Sequence, residues 1–167
     1  MADSISERNH IEKMLSHFGR AVFQCHVFER RLAMLLATVH GPSPHESTSE
    51  AFNTRFDQYC KLPLGRLIEK YRDFGEVPAE IEANLDEMCE LRNWLAHRYF
   101  WDRAEGVYDR DAREAMIAEL LDAERFIFDF ENVLAAEMQR WRAKHGVDEV
   151  VDEMVRKQVD QIMSRRS

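Results

Sequence analysis

The chain has 167 residues, of which 45% are hydrophobic and 32% charged, with 6 Gly, 4 Pro and a net charge of −8. This length suits one domain with a real core, and few breakers among many helix formers point to an all-α protein. The acidic balance argues against broad electrostatic binding of nucleic acid, which neutralises many phosphates with Lys and Arg, but it leaves room for a local basic cleft.

The cysteines are Cys25, Cys60 and Cys89. Their odd number and wide spacing suggest reduced thiols, and no CxxC or Cys/His cluster points to zinc. The residues from Met1 to Arg8 carry no apolar signal-type run, and no stretch approaches the roughly 20 apolar residues of a membrane helix. The expectation is a cytoplasmic protein without a membrane contact.

The first helix is expected from Ser4 or Ser6 to about His40. Ile11, Leu15, Phe18, Val22, Cys25, Leu32, Leu36 and Val39 step by three and four, which makes a core stripe. Glu29 falls inside that stripe, where a carboxylate needs a partner. It either braces Arg92 or another site group, or turns to a polar edge or pairs with Arg30 or Arg31. Glu7 and His10 have the ExxH spacing of ferritin-like metal bundles, which need a second ExxH and two more inward Glu. No second ExxH is found, so no metal and no cofactor are expected.

Gly41 to Glu46 is a break rich in Gly and Pro. Ser47 or Thr48 is placed to cap a short helix ending near Cys60. A turn at Leu62-Pro63-Leu64-Gly65 leads into another short helix, with Leu64, Leu67, Ile68 and Tyr71 on one face, stopped near Gly75. Pro78 is placed as the first residue of a helix from about Ala79 to about Tyr99. Ile81, Leu85, Met88, Leu91 and Leu95 form its apolar face. Asp102 to Tyr108 reads as a loop. A long helix follows from about Asp111 to Lys144, with Met116, Leu120, Ile127, Phe130, Leu134 and Trp141 on one face and Gly146 as its stop. Val147 to Arg165 repeats the amphipathic pattern. The chain thus divides into a helical bundle over 1–146 and a C-terminal helical arm over 147–167, which packs on a partner subunit or on its own bundle.

The end of the helix from Ala79 concentrates the chemistry. Asn93 and His97 are four apart and point the same way, and Arg92 lies about 100° round the helix from Asn93. Tyr99, Phe100 and Trp101 follow. An imidazole can exchange a proton near neutral pH, and a guanidinium stays charged and presents a planar fork to phosphate. The plainer readings are that Arg92 pairs with Glu87 or Glu90, that His97 is a cation at a helix C-terminus, and that the aromatic residues are core or interface. Arg20 and His26 also match the bare Arg-then-His spacing, and that pair is set aside as a chance hit.

Arg92-Asn93-Trp94-Leu95-Ala96-His97 resembles the signature of HEPN domains: Arg, then a polar residue, then His after a short spacer, at the end of a penultimate core helix. Tyr99 stands where a subset of HEPN toxins, paired with nucleotidyltransferase antitoxins, carries a Tyr. The resemblance implies an antiparallel, up-and-down bundle of four to five helices, here with an additional C-terminal amphipathic helix. It also implies a metal-independent endoribonuclease in which the ribose 2′-OH attacks the adjacent phosphate, leaving a 2′,3′-cyclic phosphate and a 5′-OH. Arg92, Asn93 and His97 would be the catalytic set, with Glu29 supporting and Tyr99 open to modification. The implied partners are a second copy in a homodimer, an RNA substrate and a nucleotidyltransferase-like antitoxin. One motif supplies one imidazole, whereas the reaction wants a base and an acid. A two-fold interface would bring two motifs to one cleft. The competing expectation is a non-catalytic helical dimer that binds a protein partner or a nucleotide, because some HEPN proteins keep the fold without the activity.

Overall fold

In a computed structural model of the chain, the described residues are 2–40, 49–75 and 77–146, together with 153 and 156. The six helices among them are α1 (Ala2–Val39), α2 (Ser49–Tyr59), α3 (Leu64–Asp73), α4 (Ala79–His97), α5 (Tyr99–Asp102) and α6 (Arg110–His145), with a 3-10 turn over Glu105–Tyr108. No described residue is in a strand. The break at Gly41 to Glu46, the Ser47 and Thr48 caps and nearly all of the 147–167 arm lie outside the described residues.

α1 is the central helix. α6 runs parallel to it, because its partners climb in step: Glu7 meets Arg113, His17 meets Glu124, Phe28 meets Phe130 and Arg31 meets Glu131. α4 runs the other way, with Arg92 on Glu29 and Tyr99 on Phe18. α2 packs against the end of α1, where Arg55 Nε donates to the Ala37 carbonyl at 3.1 Å and His40 Nδ1 is bonded to the Tyr59 hydroxyl. α3 is antiparallel to α4, placing Arg72 on Glu82 and Gly65 beside Cys89. The long helices therefore alternate in direction around α1, except for the parallel α1/α6 pair.

The core follows the predicted faces on most elements. Leu64, Leu67, Ile68 and Tyr71 of α3 are all buried, as are Ile81, Leu85, Met88 and Leu95 of α4. On α6, Met116, Leu120, Ile127, Phe130 and Leu134 are buried, while Trp141 is partly so. α1 departs from its single predicted stripe. Leu15 is 47% exposed, whereas Met14 is 1% exposed. Leu15 and Ala33 share one azimuth, since 18 residues make five turns. Ala33 is nevertheless buried. The short α2 and α3 lie against the C-terminal half of α1, so the same side of the helix is left open near its start.

Helix ends also differ in detail from the expectation. Pro78 is the N-cap of α4 rather than its first residue, with φ −55°. Asp109 caps α6, its Oδ1 accepting from the Ala112 N–H at 2.8 Å. Gly146 ends α6 with φ 63°, a left-handed conformation that glycine adopts without strain. In the segment Asp102 to Tyr108, expected to be a loop, Asp102 ends α5 and Glu105–Tyr108 form the 3-10 turn. Val107 there is tied to Arg113, whose Nη1 donates to its carbonyl at 2.7 Å. A Cβ at Gly106 would meet the Ala112 Cβ at 3.2 Å, a tight contact that a larger residue there has to relieve by a small shift.

Candidate functional site

The site is built where the last turns of α4 cross the middle of α1. Arg92 Nε donates to Glu29 Oε1 at 2.7 Å, and Arg92 Nη1 donates to Asn93 Oδ1 at 3.1 Å. The second Glu29 oxygen, Oε2, lies 3.6 Å from Nδ1 of His26. Asn93 Nδ2 in turn points to Cys89 Sγ at 3.8 Å. A continuous polar chain thus runs from His26 through Glu29 and Arg92 to Asn93, spanning both helices. Glu29 and Arg92 are each largely covered, at 18% and 23% side-chain exposure. A charge-assisted bond in such a setting holds the guanidinium more firmly than an open surface pair does.

Asn93, Ala96 and His97 are exposed. His97 stands one turn beyond Asn93 on the same face and has no hydrogen-bond partner among the described residues. Arg92 Nη2 is likewise unbonded among them. Beneath the pair, burial pushes the Cys25 thiol up to about 12, Glu29 adds to the shift and Arg92 opposes it. Burial also raises the Cys89 thiol. Neither sulfur has the thiolate character of a nucleophile.

Tyr99 sits elsewhere. It is 1% exposed, and its hydroxyl donates to the Met116 carbonyl at 3.2 Å. Its ring is stacked on Phe18, with Trp94 and Phe100 edge-on to it. Burial and Glu119 both push its phenol well above the ordinary range. A modifying enzyme reaches this hydroxyl only if α5 opens. Trp101, by contrast, is 86% exposed. α5 is fastened by Trp94 Nε1 donating to Asp102 Oδ2 at 3.1 Å and by the Arg103–Glu119 pair at 2.6 Å.

No group of three or more His, Cys, Asp or Glu among the described residues is arranged to hold a metal ion. Glu7 and His10 instead both engage Arg113. A cavity lined by His40, Tyr59, Lys70 and Phe74, among others, lies at the far end of α1, where His40 Nδ1 is bonded to the Tyr59 hydroxyl.

The chain matches no known family model, no curated protein and no solved structure. His26 is the residue the sequence reading passed over at this face. Its signal was the i, i+3 spacing to Glu29, which becomes meaningful only once Glu29 is seen to hold Arg92.

Proposed function

We propose that the protein is a metal-independent endoribonuclease of HEPN type, with its site at a homodimer interface. The observation that carries this reading is the Arg92 guanidinium, held by Glu29 Oε1 and Asn93 Oδ1, with Asn93 and His97 exposed one turn apart on α4. Arg92 stabilises the extra negative charge on the pentacoordinate phosphorane, and it is aimed before the substrate arrives. His97 takes the 2′-OH proton. Asn93 keeps the guanidinium plane fixed and offers its amide to a phosphate oxygen. RNA is held here by local contacts to Arg92 and Asn93 rather than by the net charge of the chain, which is −8.

RNA cleavage in the presence of EDTA, with analysis of the product ends, tests the reading. Wild type should leave 2′,3′-cyclic phosphate ends and His97→Ala should leave none. A folded wild type that cleaves no RNA class removes the proposal.

A second reading is a non-catalytic helical dimer that binds a protein partner or a nucleotide. It is favoured by one observation: Arg92 already has a carboxylate partner, while His97 has no group among the described residues to orient it. In that case His97→Ala leaves partner or nucleotide affinity unchanged.

A further inference from the structure

We propose that His26 is a second catalytic imidazole of this face, supplied by α1 of the same chain, and that it protonates the departing 5′-oxygen. The inference rests on the ribonuclease reading above and changes the source of the acid. The acid comes from within the protomer rather than from a second copy of the α4 motif.

The geometry begins with Glu29. Its Oε1 receives Arg92 Nε at 2.7 Å, and its Oε2 lies 3.6 Å from His26 Nδ1. One carboxylate therefore stands between the phosphate-binding guanidinium and an imidazole and sets their separation. A carboxylate against one ring nitrogen orients the ring and leaves the other nitrogen open toward substrate. His26 Nε2 has no partner among the described residues. The side chain is 63% exposed.

The other two histidines of α1 are committed. His17 is buried between Glu124 and Arg20, with Nδ1 2.8 Å from Glu124 Oε1. His10 is bonded to Arg113. His26 is the α1 imidazole that combines an open ring nitrogen with a carboxylate shared by the motif.

Helix register puts it at the right level. α1 and α4 are antiparallel, with Glu29 level with Arg92 and Phe18 level with Tyr99 and Phe100. The α4 segment from Arg92 to His97 thus runs alongside α1 from residue 29 toward residue 18. His26 falls within that span, one turn before Glu29.

The step balances as follows. The ribose 2′-oxygen forms a bond to phosphorus while its proton passes to His97. The bond from phosphorus to the 5′-oxygen breaks, and the electron pair stays on that oxygen, which takes the proton of His26. The products are a 2′,3′-cyclic phosphate and a 5′-OH. No water is consumed, and both imidazoles return to their starting states by exchange with solvent.

The experiment compares two versions of one RNA, cut by the full-length chain at a mapped site. The second version carries sulfur in place of the bridging 5′-oxygen at that site. A thiolate leaves without a proton, so it does not need an acid. His26→Ala should slow the oxygen substrate by about 10²- to 10³-fold, the range for a positioned acid. It should slow the sulfur substrate by less than about tenfold, which also shows that the variant is folded and binds RNA. His97→Ala should slow both. Equal loss on both substrates, or no loss on either, overturns the role of His26 and leaves the ribonuclease reading intact. A wild type inert on both substrates overturns that reading itself.

Discussion

Arg92 uses three features of its side chain at once: the Nε bond to Glu29, the Nη1 bond to Asn93 and an Nη2 that has no hydrogen bond among the described residues. A lysine has one ammonium and no fork, so it can keep the Glu29 partner only by turning away from the substrate side. Arg92→Lys should therefore lower RNA cleavage by about 10²-fold, the scale of one preorganised charge donor, with little change in thermal stability. Equal activity in the two proteins, measured by initial rates at saturating RNA, contradicts that role. Tyr99 calls for the reverse pattern. Its hydroxyl makes one buried bond, to Met116. Tyr99→Phe should cost about 1 kcal/mol of stability and leave the cleavage rate unchanged, because the ring packing stays in place. Urea unfolding paired with the cleavage assay separates the two effects. A loss of activity at constant stability would give the hydroxyl a part in chemistry that its burial does not suggest.

Arg113 is the element-scale counterpart. It lies on α6 with 1% exposure, bonded to Glu7, His10 and the Val107 carbonyl. It joins the start of α1, the 3-10 turn and the start of α6 into one unit. Replacing it with Met keeps the volume but leaves the Val107 carbonyl and Glu7 without their donor. Arg113→Met should destabilise by about 3 kcal/mol, the order found on breaking a buried ionic group. Hydrogen exchange should show the faster opening concentrated at Val107 and the first turns of α1 and α6. A uniform change over all helices argues that Arg113 does not link these pieces. This residue also shows why sequence reading stops where it does. An arginine in a helix of alternating charge reads as solvent-facing, and nothing local signals the carbonyl it serves six residues back. The faces of α3, α4 and α6 were legible, because a helix covered on one side buries residues at three and four spacing. α1 was less so, because the cover changes along its length and Leu15 and Ala33 share an azimuth but not a fate. At the site, Arg92, Asn93 and His97 could be picked out by type and spacing. The choice of Glu29 partner was left open between Arg92 and its own neighbours, since a pair 63 residues apart depends on how α1 and α4 cross.

Over the whole molecule, a buried carboxyl and a partly buried imidazole pull stability in opposite directions with pH. Glu131 is 7% exposed, its Oε1 has no hydrogen bond among the described residues, and Arg31 approaches only to 3.8 Å. Burial raises its carboxyl above the ordinary 4.5, with Arg31 only partly opposing. The folded state therefore holds this proton more tightly than the unfolded chain. Stability from Glu131 is fully present below 4.5 and is lost as pH rises through the raised value. His40 is the opposite case. Burial and Lys70 lower it from 6.5, so the folded state prefers the neutral ring. Its contribution is present above 6.5 and is lost as pH falls below that value, where the unfolded chain takes up the proton. Each group has its own signature in a series of urea midpoints from pH 4 to pH 8. Glu131→Gln keeps the shape and removes the charge. It should be more stable than wild type at pH 7.5 by roughly 1 kcal/mol, a rise of about 2–4 °C in Tm. That advantage should vanish toward pH 4. His40→Gln should leave the neutral region little changed and flatten the loss between pH 6.5 and 5. A Glu131→Gln protein that is less stable at pH 7.5 means that the Arg31 attraction outweighs the burial of the carboxylate. The sign of that single difference therefore decides which of the two forces governs the α1/α6 interface.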